Sequence, residues 1–115
     1  MGESAAIMRY LANSRPDEID QRLYPHDALR IRAKIDELLD WNHVGLRQGT
    51  NRLCYLKYFS FVRKEPHLST PALLKQVEFD VGKSLDYLDY LLSSNHFLSC
   101  GHLTLADFAA FSDVS

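Results

Sequence analysis

The chain has 115 residues, 46% of them hydrophobic and 11% aromatic, with a formal net charge of −2 and a sequence pI of about 6.2. That composition is globular rather than disordered, and its mildly acidic balance argues against a general binder of nucleic acid or of anionic membranes. No apolar run approaches the roughly 20 residues of a membrane span. Met1-Gly2-Glu3 does not open a signal peptide, and Ala6 stands where a myristoylation motif needs Ser or Thr. Cys54 and Cys100 have no metal or redox spacing and read as two reduced thiols of a cytoplasmic protein. His26, His67, His96 and His102 are not spaced as ligands with one another or with the cysteines, so no metal site is expected.

The first predicted element is a short helix opened by Glu3 and Ser4, with Ala5, Ala6, Ile7, Met8, Tyr10 and Leu11 on two apolar sides. Asn13-Ser14-Arg15-Pro16 ends it, because the residue before a proline avoids the helical region. Pro16 to Pro25 is polar and irregular and reads as a linker, and Asp27 is the expected N-cap of the next helix. That helix is predicted to be the longest. Ile31, Ile35, Leu38, Leu39 and Leu46 recur at helical spacing, and the pattern resumes at Leu53, Leu56, Phe59 and Val62 to about Arg63. Gly45 and Gly49 are weak helix formers, at roughly 1 kcal/mol each, and are places where it can kink. Glu65-Pro66 ends it. Ser69 or Thr70 then caps a second long helix with Pro71 in its first turn and a core stripe of Leu74, Val77, Val81, Leu85, Leu88 and Leu92. Ser93-Ser94-Asn95 stops that helix.

The most strongly signalled element is the last. Thr104 and Asp107 are spaced as a capping box, with Asp in place of the commoner Glu or Gln, and Leu103 and Phe108 are placed to close a hydrophobic staple. Asp107 also puts negative charge where the helix dipole favours it. The run that follows is apolar on most sides, as in a buried helix. The sequence stops at Ser115, about three turns into this helix, and the expectation is a truncated chain. No segment shows sustained strand alternation, so the expected fold is all-α.

Two separated motifs carry a family resemblance. Glu3-Ser4-Ala5-Ala6-Ile7 with Tyr10-Leu11 resembles the segment that starts the last helix of the thioredoxin-like domain of glutathione S-transferases. Thr104-Leu105-Ala106-Asp107-Phe108 resembles the start of the central helix in that family's C-terminal helical domain. Tyr24-Pro25-x-Asp27 and the run Arg32 to Asp36 suit the same family, and Leu39-Asp40-Trp41-Asn42-His43 followed by Leu46-Arg47 is most similar to the theta class. The resemblance implies a partial C-terminal-type helical bundle over residues 27–115. Before it would come a linker at 15–26 and the end of a thioredoxin-like domain at 1–14.

The resemblance also implies the chemistry. A glutathione transferase attacks small electrophiles with the glutathione thiolate, needs no cofactor beyond glutathione as co-substrate, and acts as a cytoplasmic homodimer in detoxification. Glu3 and Ser4 would hold the γ-glutamyl end of glutathione, Glu3 pairing with the ligand's ammonium. Physics agrees, since free N–H groups and the dipole of a helix N-terminus attract a carboxylate to which a Ser hydroxyl can donate. Arg47, with Trp41 and His43, would face the electrophile or the sulfur. Tyr55, Tyr58 and Phe59 form an aromatic cluster suited to a substrate wall, a core or a subunit contact. Thr104 and Asp107 are structural on any reading. The resemblance assigns the catalytic Ser to a preceding half, so this chain alone is expected to be inactive. The alternative is a non-catalytic interaction and dimerisation module, as in the gamma subunit of translation elongation factor one.

Overall fold

The computed structural model describes residues 2–115; Met1, with which the N-terminal reading above begins, lies outside them. Six α-helices in chain order make up the described residues, with short 3-10 turns at Gln21–Leu23 and Pro66–Leu68 and no strand. Helix α1 spans Ser4–Ser14, and its C-cap Arg15 precedes Pro16. It turns Ala5, Met8 and Ala12 to the core, leaving Ile7, Tyr10 and Leu11 largely exposed. Helix α2 spans Leu29–Trp41. Its N-cap is Ala28, with no side-chain cap, so Asp27 sits one residue outside the position expected of it. The entry is fixed by packing instead. Tyr24 is buried and donates its hydroxyl to Asp36 at 2.9 Å, while the Arg32 guanidinium lies 4.2 Å over the Tyr24 ring. Arg9 of α1 donates to Asp36 as well, at 2.6 Å, so one carboxylate ties α1, the linker and α2 together.

From Leu29 to Val62 the backbone stays in the right-handed helical region at every junction, as the unbroken apolar pattern predicts. It is not α-helical throughout. Wide π turns occupy Asn42–Arg47 and Tyr55–Phe59, separating α2 from α3 (Gln48–Cys54) and α3 from α4 (Ser60–Val62). The second π turn shifts the buried position from the expected i+3 to i+4. Leu56 and Ser60 are buried, whereas Phe59 and Val62, read as core from a 3.6-residue period, are exposed. The rod ends on Lys64 in the left-handed region (φ 59°). Glu65 N–H donates to the Ser60 carbonyl and Lys64 N–H to that of Phe61, a Schellman-type stop with lysine where glycine is usual.

Helix α5 spans Pro71–Leu92; Thr70 caps it by accepting from the Leu73 N–H at 3.3 Å, as expected. Val77, Val81 and Leu88 form its buried stripe. Leu85 and Leu92 lie at one edge of that stripe and are exposed, correcting the predicted core. Gly49 marks where α3 and α5 approach, since a Cβ there would stand 3.0 Å from Val81 Cγ2. Helix α6 spans Leu105–Val114 and packs Leu105, Ala106, Ala109 and Ala110 against α2 and the first π turn. Small residues at this crossing allow close approach. The opposite side of α6 is open, with Phe108 and Val114 nearly half exposed and Phe111 more so.

The capping box at Thr104 forms. Asp107 Oδ2 accepts from the Thr104 N–H at 2.9 Å and from its hydroxyl at 3.0 Å, and Asp107 Oδ1 accepts from the Leu98 N–H at 2.8 Å. The same carboxylate that caps α6 therefore fastens the α5–α6 loop. Leu103 and Phe108, the expected staple, are both half exposed and belong to neither core cluster.

Candidate functional site

The N-terminus of α1 meets the first π turn. Glu3 is the N-cap of α1 and makes no side-chain cap hydrogen bond, so its carboxylate stays exposed. The first intrahelical bond is Ile7 N–H to the Glu3 carbonyl, which leaves the N–H groups of Ser4, Ala5 and Ala6 outside the helical ladder. Beside them runs an open cleft of about 410 Å³ lined in part by Glu3, Ala5, Ala6, Arg9 and His43. His43 Nδ1 lies 4.0 Å from Glu3 Oε2. Free N–H groups, the positive end of an 11-residue helix and a nearby ring nitrogen suit a small ligand with a carboxylate and an ammonium group.

Arg47 enters this site from the end of the π turn. Its Nη1 donates to Ser4 Oγ at 2.6 Å, and its Nε donates to both carboxylate oxygens of Asp113 at 3.1 and 3.3 Å. Asn42 Nδ2 donates to the same carboxylate at 2.6 Å. The Asp113 side chain is only 8% exposed, so this pair is largely shielded from solvent. Local structure explains why Asn42 and Arg47 converge. An α-helix would rotate residues five apart by roughly 140° from a common face. In an i→i+5 turn they stack, and both reach one carboxylate. Asn42 Oδ1 is buried with no hydrogen-bond partner among the described residues.

Of the residues singled out from the sequence, the fold thus brings Glu3, Ser4, His43 and Arg47 to one place. Trp41 packs elsewhere: its ring meets Tyr87 edge-on at 4.8 Å, and Gly45 leaves room for the indole, since a Cβ there would stand 3.2 Å from Trp41 Nε1. Tyr55 donates to Glu65 at 2.6 Å, while Tyr58 and Phe59 are exposed on the outer side of α3–α4, away from this site. Sequence reasoning missed Asn42 and Asp113. Asp113 did carry a signal. It is a carboxylate in the last turn of an apolar helix, at the end where the dipole disfavours negative charge, and so requires a partner.

No family model matches the chain. Curated relatives do. The chain is 34% identical to mouse glutathione S-transferase theta-1 over 114 residues, which is 97% of this chain and 45% of that protein. Human glutathione S-transferase theta-1 is 34% identical over 113 residues, with the same coverage. The human T1-1 apo structure superposes with a TM-score of 0.85 at 30% identity, covering 99% of this chain and 46% of that one. The chain is a relative of the theta-class glutathione S-transferases. A delta-class glutathione transferase from Nilaparvata lugens also shares the fold, with a TM-score of 0.78 at 30% identity over 99% of this chain. The chain spans about half the length of the relatives it matches. The all-helical bundle expected from the glutathione-transferase resemblance is the fold observed. No helix of the described residues is long and apolar enough to cross a membrane.

Proposed function

We propose that this chain supplies the γ-glutamyl end of a glutathione site in a theta-like glutathione transferase. The observation that carries the reading is the N-terminus of α1: Glu3 and Ser4 stand at unpaired N–H groups beside an open cleft. Glutathione's free α-carboxylate would take the N–H groups and the Ser4 hydroxyl, and its ammonium would take Glu3. In the reaction so served, the glutathione thiolate attacks a small electrophile, a carbon–sulfur bond forms and the leaving group departs with its electron pair. A Ser hydroxyl in a thioredoxin-like half would stabilise the thiolate. Residues 1–14 then belong to the end of that half, 15–26 to the linker, and 27–115 to the helical domain. His43 borders the same cleft, and Trp41 does not line it. The two free thiols fit a reducing compartment such as the cytoplasm. A homodimer and a role in detoxification accompany this reading.

Calorimetric titration of the chain with glutathione tests it. Only one end of the ligand is contacted, so the dissociation constant is expected at roughly 1 mM, weakened in Ser4→Ala. Absence of binding at about 10 mM overturns the reading. Chloride release from a haloalkane by the chain alone is expected to match the uncatalysed rate.

One observation favours the non-catalytic module instead. Tyr58, Phe59, Phe61 and Val62 leave the outer side of α3–α4 apolar and exposed, as a protein contact would. A stable dimer in sedimentation, with no glutathione binding, would support that alternative.

A further inference from the structure

Arg47 can only donate hydrogen bonds, so in the 2.6 Å contact the Ser4 oxygen is the acceptor. The Ser4 hydroxyl proton must then point elsewhere, and Ser4 Oγ has no second partner among the described residues. A serine held in this way is biased toward donating: one lone pair of its oxygen is taken by a cation and its proton is free for an anion. The arginine is itself held by Asp113, and Asp113 by Asn42, through contacts of 2.6 to 3.3 Å. The chain of contacts runs from the last turn of α6, through the π turn, to the first residue of α1.

We propose that Asp113 is a positioning residue which, through Arg47, fixes Ser4 as a hydrogen-bond donor to the α-carboxylate of glutathione's γ-glutamyl group. The proposal rests on the glutathione reading above. It moves Arg47 from the electrophile or sulfur side, where the resemblance suggested it, to the carboxylate end, and it makes the C-terminal end of α6 part of the glutathione site. With Asp113 neutralised, Arg47 loses the acceptor that aims it. Ser4 is then free to rotate and can turn a lone pair toward the ligand's carboxylate.

The test compares glutathione with its analogue bearing an α-carboxamide on the γ-glutamyl residue, titrated into the full chain. Wild type is expected to prefer the carboxylate by about tenfold or more. In Asp113→Asn that preference is expected to shrink severalfold, the helix N–H groups keeping the remainder, while the carboxamide binds as it does to wild type. Damage that is merely structural would weaken both ligands equally and keep the preference, and that result overturns the proposal while leaving the glutathione site intact. Failure of wild type to bind either ligand removes the reading and the proposal together. Should Asp113→Asn not fold, the double variant Arg47→Gln/Asp113→Asn leaves no charge unpaired and is expected to reduce the preference in the same way; a double variant that keeps it in full overturns the proposal.

Discussion

The molecule has a thick end and a thin arm. At the thick end, residues from α1, the linker, α2, the first π turn, α5 and α6 share one core, with Ile35, Leu39, Leu46 and Ala106 almost wholly buried. In the arm, α3 lies against the first half of α5, and the buried cluster is only Leu56 of the second π turn with Val77 and Val81. Phe59, Phe61, Val62 and Phe79 there stay exposed. Two helices bury one face each and no more; a third layer is what turns a helix pair into a core. The candidate site lies at the thick end, where several elements hold each side chain, and rigidity of that kind is what a preorganised ligand contact requires. The arm is the part expected to open first.

The largest expected effect separates the two directly. Leu39→Ala removes a side chain from the shared core and should cost about 3 kcal/mol in urea denaturation, with loss of hydrogen-exchange protection throughout. Leu56→Ala, equally buried but in the arm, should cost about 2 kcal/mol and expose chiefly the amides of α3 and α4. Equal, global effects would show that the two regions are one cooperative unit. Asp107→Ala should follow, at about 2 kcal/mol, because it strips acceptors from the Leu98 and Thr104 N–H groups at the thick end; unchanged denaturation would remove its structural role.

Next is the α3–α5 crossing. Gly49→Ala gains helix propensity of about 1 kcal/mol but drives a methyl against Val81 Cγ2. Overpacking of this kind costs about 1–3 kcal/mol, so a net loss near 1 kcal/mol is expected, relieved in Gly49→Ala/Val81→Ala. Lys64→Gly should instead stabilise the end of the arm, by up to about 1 kcal/mol, by removing a side chain from the left-handed region. The smallest effect is one of pH. Burial first, and then the hydrogen bond to Asp36, push the Tyr24 phenol above its ordinary value of 10.0. A raised folded-state pKa contributes stability that is complete below about pH 10 and is lost as pH rises through the raised value. Denaturation midpoints should therefore fall more steeply above pH 10 in wild type than in Tyr24→Phe.

Much of this was legible in the residues because it is local. Proline and Asn-Ser-Arg end α1, Thr70 and Pro71 open α5, and the Thr104–Asp107 box starts α6; each is a contest between neighbouring backbone and side-chain groups. Glu3 and Ser4 were legible for the same reason, as the first residues of a helix. The interior of the long rod was not. A 3.6-residue period counts Phe59 and Val62 as core and sets Asn42 and Arg47 on different faces, and each π turn changes that count. Asp27 was displaced from its cap because the Tyr24–Asp36–Arg9 cluster, built from three segments, sets the entry of α2.

By itself, then, the sequence determined an all-α chain, its helix ends and the Glu3–Ser4 helix start, since those follow from interactions within a few residues. Only the tertiary structure decided which carboxylate Arg47 takes. The two residues lie 66 apart in sequence, and they meet because a wide turn rotates Arg47 toward α6. Ion pairing in a shielded place depends on where the backbone brings the charges, and spacing along the chain does not encode that.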